Sequence, residues 1–171
     1  NLSPNGKYLL TAYQTTFPGG KTESYQQVTD RASGQVLMES NSINYNWMPQ
    51  SNRLYYTRNG LQGKELVSLD PVTKTENILS VNLPDGWFVF SPTEDYLLFS
   101  VSEEGPKKDQ DMEEILVPDD RQPGWRNRSF LHKYDLATGV FERLTYGHNS
   151  TSLNDISQDG RYLLFTSHER R

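Results

Sequence analysis

Short apolar runs that follow tight polar turns recur along the chain. Four segments align without a gap, at residues 4–11, 49–56, 92–99 and 158–165. Each opens with turn-forming residues and ends in a run such as Tyr-Leu-Leu-Phe. The Asn5-Gly6 and Asp159-Gly160 pairs tolerate the positive φ of a two-residue hairpin. Each segment, here termed a turn frame, therefore predicts a hairpin turn that enters a β-strand.

A second motif lies between the turn frames. It ends a β-rich run at an aspartate in residues 28–34, 67–74 and 132–139, where Asp30, Asp70 and Asp135 hold equivalent places. An aspartate side chain can bond the backbone of the turn that follows it, and Gly34 and Gly139 can close that turn. This motif predicts a second hairpin in each repeat.

The spacing of the two motifs predicts the fold class. The turn frames begin 45, 43 and 66 residues apart and the aspartates lie 40 and 65 apart, so the third repeat carries about 22 extra residues. A period near 43 with four short strands is typical of a propeller blade and not of a helical solenoid. We expect an all-β chain, a β-propeller fragment of four-stranded antiparallel blades with two complete blades and partial blades at both ends.

The repeats also predict blade boundaries within a single partial propeller over residues 1–171. Residues 1–41 form a blade without its inner strand, 42–80 a complete blade, 81–146 a complete blade with an insertion at about 104–128, and 147–171 the first strands of a fourth. The predicted inner strands are Ile43–Met48, Trp87–Phe90 and Leu153–Ile156. We expect Trp47 and Trp87 to be core or channel-lining residues, with the core position favoured.

Composition narrows the functional classes. The net charge is −5 with scattered basic residues, which argues against nucleic-acid binding. No apolar stretch approaches the roughly 20 residues of a membrane span, and the amino end lacks the pattern of a signal peptide. The chain contains 0 cysteines, which excludes disulfides and thiol nucleophiles but leaves the compartment open.

The turn frames at residues 3–10 and 157–165, with residues 134–145, resemble the blades of TolB-like propellers. They equally resemble the amino-terminal propeller of the prolyl oligopeptidase and dipeptidyl-peptidase family, and residues 121–130 are more similar to its bacterial branch. The peptidase resemblance implies a later α/β-hydrolase domain with the Ser-Asp-His residues, and a propeller that screens substrates by size. This chain has no Gly-x-Ser-x-Gly elbow, so no catalytic residue carries over.

The resemblance implies a non-catalytic segment, the substrate-gating or docking propeller of an exported bacterial serine peptidase-like protein in the periplasm or cell envelope. One alternative is a TolB-like protein-binding module of the envelope with no enzyme attached, and another is a propeller fused to an amidohydrolase domain. The expected partners are the remaining blades, a hydrolase domain of the parent chain and a protein or peptide ligand. Exposed blade faces would also permit self-association.

The insertion and the turn before the last repeat supply the candidate contact residues. Trp125, Arg126, Arg128 and His148 are the candidate partner or ligand contacts. A solvated surface loop is the favoured interpretation of the insertion, and a turn residue that of His148. No catalytic residue, cofactor or metal is expected. The run from Asp109 to Asp120 lacks the glycine that a calcium loop needs at its sixth position.

Overall fold

The computed structural model describes residues 1–103, 127–147 and 149–168, and every regular element there is a β-strand. The thirteen strands are β1 (Tyr8–Thr16), β2 (Thr22–Asp30), β3 (Val36–Ser40), β4 (Asn46–Trp47), β5 (Leu54–Asn59), β6 (Lys64–Leu69), β7 (Glu76–Ser80), β8 (Phe88–Phe90), β9 (Tyr96–Glu103), β10 (Arg128–Asp135), β11 (Phe141–Arg143), β12 (Ser150–Ile156) and β13 (Leu163–His168). The described residues contain no helix with the length and apolar character needed to cross a membrane.

Strands that follow one another along the chain pair with one another. The first sheet has the order β1-β2-β3, the second β4-β5-β6-β7, the third β8-β9-β10-β11 read from its inner strand, and the fourth β12-β13. All of these pairs are antiparallel. Successive antiparallel four-stranded sheets confirm the predicted fold class, an all-β propeller fragment.

The chain divides into two compact units, Asn1–Asp85 and Gly86–Arg171. In the first unit, Leu10 and Val28 lie opposite each other on the first sheet and pack into a core with the second sheet. The remaining buried members of this core are Tyr45, Leu54, Tyr56, Val67 and Leu69. Burying a leucine or valine side chain contributes about 1.5–3 kcal/mol, so this contact is the main stabilising term of the unit.

In the second unit, the turn frame of the third sheet is covered on both faces. Tyr96, Leu97, Leu98 and Phe99 are only 6%, 0%, 1% and 0% exposed, although consecutive residues of a strand point to opposite faces. The Tyr96 hydroxyl donates to the Gly160 carbonyl of the fourth sheet at 2.7 Å. Inter-sheet contact therefore runs through the turn frames themselves.

Three of the four turn frames, those at residues 4–11, 92–99 and 158–165, share one backbone conformation. Gly6, Glu94 and Gly160 occupy the same position and have φ of 69°, 62° and 70°. In each frame the amide at this position donates to the carbonyl of the serine three residues earlier, Ser3, Ser91 or Ser157. Glycine adopts this left-handed region at little cost, so Glu94 is the strained member of the set.

Two features of the inner strands differ from the sequence expectation. Trp87 lies outside β8 and is 68% exposed, so the core position, the favoured of its two expected placements, was wrong. The inner strand of the second sheet is reduced from the expected Ile43–Met48 to Asn46–Trp47. Beside β1, where an inner strand would lie, Leu2 forms an antiparallel bridge with Leu9.

We predict that Gly160→Ala destabilises the chain more than the matched change Gly6→Ala. Both place a side chain at positive φ, which costs about 1–2 kcal/mol. Only at Gly160 would the new Cβ lie 2.9 Å from Thr93 Oγ1, which is held by Asp95. Chemical unfolding of the two variants measures the difference, and equal losses would contradict the inter-sheet contact.

The aspartate turns behave as the second motif predicts. Asp30 Oδ1 accepts the amides of Ala32 and Ser33, both at 2.9 Å. Asp70 and Asp135 accept equivalent amides, and the backbone donors hold the pKa of all three carboxyls below the usual value. Lys74, with φ of 61°, stands where the other repeats have Gly34 and Gly139. Lys74 Nζ donates to Pro71 O at 2.7 Å and to Leu37 O of the first sheet. These two bonds hold Lys74 at this position of the turn.

We predict that these turn aspartates contribute an acid-sensitive part of the stability. Because their folded pKa lies below the unfolded value of about 3.9, their contribution is complete above that pH and falls as the pH drops through the folded pKa. Unfolding titrations from neutral to acid pH should show a shallower loss for a combined Asp30→Asn, Asp70→Asn, Asp135→Asn variant. Asp85→Asn, at a fully exposed side chain, is the control, and an unchanged slope in the triple variant would contradict the assignment.

Candidate functional site

The strands β2, β6 and β10 are each hydrogen-bonded to the connection that leads to the next sheet. In the first unit, Leu83 N donates to Lys64 O at 2.8 Å and Tyr45 N donates to Gln26 Oε1 at 2.6 Å. In the second unit, Leu144 N donates to Leu131 O at 2.8 Å and Ser129 N donates to Ser150 Oγ at 3.2 Å. The beginning of β10, which directly follows the insertion, therefore lies beside Leu144 and Ser150.

Arg143 organises a group of side chains at this end of the third sheet, here termed the loop-end cluster and defined as Glu103, Phe130, Arg143, Thr145 and Tyr146. Arg143 Nη1 lies 2.8 Å from Glu103 Oε1, and Arg143 Nε donates to Thr145 O at 2.8 Å. Its guanidinium carbon lies 3.9 Å from the ring centroid of Phe130 and 4.9 Å from that of Tyr146. An arginine held by a carboxylate and two rings has a fixed orientation.

Two buried hydroxyls tie the cluster to the fourth sheet. Thr145 Oγ1 accepts the amide of Leu131 at 2.9 Å and lies 2.7 Å from Thr151 Oγ1. Thr151 Oγ1 in turn donates to Ser129 O at 3.1 Å. Because buried polar groups are costly without partners, these bonds set the positions of Thr145 and Thr151 against β10.

The chemistry of the loop-end cluster suits binding. The Arg143 guanidinium stays protonated and cannot act as a general base. Glu103 already accepts a hydrogen bond from it. The Tyr146 hydroxyl donates to Arg143 O at 3.0 Å, while its side chain stays 71% exposed. An exposed aromatic ring on a rigid base is a common anchor of protein contacts.

Of the four residues selected from the sequence, the described part of the chain contains Arg128. Arg128 opens β10 directly opposite Glu103 and is half-buried, so it stands next to the loop-end cluster. Trp125, Arg126, His148 and the acidic run from Asp109 to Asp120 lie outside the described residues. Within the described ranges, no group of three His, Asp or Glu side chains is arranged to hold a metal ion.

Arg143 and Tyr146 are not among the residues selected from the sequence. Arg143 belongs to an Arg-Leu-Thr run of the repeat, and its partner Glu103 lies forty residues earlier. Tyr13 and Tyr25, which pair across the β1–β2 hairpin, were not selected either. Their equal distance from Gly19 was the signal that could have identified them.

Comparison with known proteins places the fold among known structures but identifies no family. The chain resembles TolB from Acinetobacter baumannii (17% identity, TM-score 0.46), the tricorn protease (11%, 0.48) and Kuenenia stuttgartiensis hydrazine synthase (14%, 0.42). These matches cover 96%, 92% and 96% of this chain and 36%, 14% and 47% of those chains, respectively. The chain therefore spans less than half the length of each. No protein-family model and no curated protein matches it. At these identities and TM-scores the similarity assigns no function.

We predict that Arg143→Lys destabilises the second unit by about 1 kcal/mol, the combined size of a partly exposed ion pair and a cation–π contact. Lysine keeps the charge but cannot bond Glu103 and Thr145 while stacking on Phe130. Thermal unfolding measures the loss. Arg161→Lys, at an exposed turn residue, is the matched control, and an equal effect in the control would contradict the role of Arg143.

Proposed function

We propose that this chain is a non-catalytic propeller segment that docks or gates substrate in an exported bacterial serine peptidase-like protein of the periplasm or cell envelope. The proposal combines the propeller fold with the sequence resemblance to the peptidase propellers. It has three supports in the structure: the exposed apolar side chains of the fourth sheet, the structural contacts of Ser91, Ser157 and His132, and the fixed side chains at the strand ends that flank the insertion.

The carrying observation is the contrast between two nearly identical turn frames. In β9 the Tyr-Leu-Leu-Phe run is buried, whereas in the fourth sheet Tyr162, Leu164 and Phe165 are 72%, 65% and 44% exposed. Among the described strands, β13 pairs with β12 alone. Exposed apolar side chains on both faces of a sheet and an open strand edge favour contact with another sheet. This supports a role as one part of a larger propeller.

Three described side chains of the types used in catalysis have structural contacts. Ser91 and Ser157 donate to the turn carboxylates Asp95 and Asp159 at 3.0 Å and 2.6 Å. The His132 ring stacks on Phe141 at 4.9 Å, and its Nδ1 lies 3.4 Å from the Phe130 carbonyl. A serine nucleophile needs an adjacent base, and these contacts give both serines a structural role. This supports placing the catalytic residues in another domain.

The loop-end cluster supports the docking or gating part of the proposal. Glu103 and Arg128 flank the insertion, and Glu103 is held by Arg143. Long loops on a rigid scaffold are common sites of recognition. A fixed base would let the insertion act on substrate entry without disturbing the sheet below it.

The proposal predicts that Leu164→Arg in the full-length parent protein relaxes size selection. Charge on the uncovered apolar side chains would weaken their contact with the next sheet, so cleavage of a full-length protein such as casein should rise severalfold relative to an alanyl-prolyl chromogenic substrate. Leu61→Arg, at a fully exposed loop residue, is the control and should leave this ratio unchanged. The 171-residue chain alone should hydrolyse neither substrate.

Three outcomes would contradict the proposal. Turnover by the isolated chain that survives purification would show that it carries catalytic groups. An unchanged ratio in Leu164→Arg would remove the gating role. A parent reading frame without a Gly-x-Ser-x-Gly elbow would support one of the alternatives, a stop after the last blade favouring a TolB-like binding module and a His-x-His signature favouring an amidohydrolase fusion.

A further inference from the structure

The outward face of the first sheet is polar where the second sheet is apolar. Leu10 and Val28 point into the core, so their strand neighbours point to the opposite face. These neighbours are Leu9, Thr11, Gln27 and Thr29, and none of them is buried. The equivalent positions of the second sheet are Leu54, Tyr56, Val67 and Leu69, all of which belong to the core. The first sheet is therefore not built to bury this face under an apolar partner.

An exposed tyrosine pair stands on that same face. Tyr13 and Tyr25 lie directly opposite each other, with ring centroids 5.4 Å apart and an interplanar angle of 13°. Tyr13 is 38% exposed. In the second sheet the corresponding positions hold Arg58 and Glu65, which form an ion pair at 2.8 Å. The first sheet thus has two aromatic rings at the positions where the second sheet has an ion pair.

Two carboxylates border the rings. The Tyr13 hydroxyl donates to Glu39 Oε2 at 2.5 Å, and Gln27 Nε2 lies 3.4 Å from the same oxygen. The Tyr25 hydroxyl donates to Glu23 Oε2 at 2.7 Å. We term Tyr13, Tyr25, Glu23, Gln27 and Glu39 the tyrosine patch. The carboxylate bonds raise the pKa of both tyrosines, so the phenols remain neutral donors.

The electrostatics of the tyrosine patch select for a cation. The face of an aromatic ring carries negative potential, and a phenol that donates to a carboxylate adds to it. Lys21 lies 2.7 Å from Glu23, so one carboxylate is already paired. The other, Glu39, has the neutral side chains of Tyr13 and Gln27 as its described partners. A further positive group would meet Glu39 and the exposed ring of Tyr13 together.

We propose that the tyrosine patch binds a lysine or arginine side chain presented by a basic segment of a partner protein. Glu23 and Glu39 give the patch two carboxylates against the one neighbouring lysine, Lys21, and this local negative balance favours approach of such a segment. This inference requires neither a hydrolase domain nor a further blade, so it stands or falls separately from the proposed function.

A capped decapeptide of alternating lysine and glycine is the probe, with its lysine-acetylated form as the neutral control. Binding to the 171-residue chain, followed by the ring signals of isotope-labelled tyrosines, should shift Tyr13 and Tyr25 and weaken as salt is added. Glu39→Gln should lower the affinity about three- to fivefold, the size of one exposed cation contact. Glu142→Gln removes an exposed carboxylate from β11 and should leave the affinity unchanged.

Equal binding of the acetylated peptide, or an equal loss in Glu142→Gln, would overturn the proposal because either result means that the patch does not recognise a cation. A neutral oligosaccharide such as maltohexaose that shifts the same two signals, when the lysine peptide does not, would replace it with a carbohydrate site. Should Glu39→Gln fail to fold by circular dichroism, Tyr13→Thr provides the second variant. It removes the exposed ring and should weaken binding at least as much, and retained affinity would again reject the proposal.

Discussion

The structure depends on apolar contact between the faces of neighbouring sheets within each compact unit. A β-strand alternates its side chains, so a run such as Tyr96 to Phe99 can be apolar throughout only if both sides are covered. The core of the first unit shows the same constraint, because Leu10 and Val28 are buried only through Leu54, Tyr56, Val67 and Leu69. At about 25 cal/mol per Å² of apolar surface, face contact is the main source of stability, and the turns direct each strand into it.

The repeat carries enough information to predict the sheets but not their exceptions. Turn frames and turn aspartates are local signals, since glycine and aspartate act within a few residues of themselves, and their strands appear where the period places them. Trp87 is exposed because its environment depends on how the chain enters β8, which the repeat does not encode. Glu94 and Lys74 occupy left-handed positions against their local preference, because the surrounding turn bonds impose the conformation.

The candidate sites follow the same division. Arg128 could be selected from the sequence because it flanks a break in the repeat, whereas Arg143 could not, because its function depends on Glu103, Phe130 and Tyr146 meeting in space. The tyrosine patch required the strand register as well as the hairpin, since Glu39 reaches Tyr13 from the third strand. Contacts between side chains that are distant along the chain cannot be predicted from a single sequence.

The two outward sheet faces differ in what they can accept. The fourth sheet offers Tyr162 and Leu164, whose apolar surface gains free energy only when water is removed from a broad contact. The first sheet offers threonine, glutamine and paired tyrosines, which remain solvated without penalty and can hold a single charged group. A turn frame determines the backbone geometry of a sheet but not which residue types lie on its two faces. One repeat can therefore build a structural contact from one sheet and a recognition surface from another.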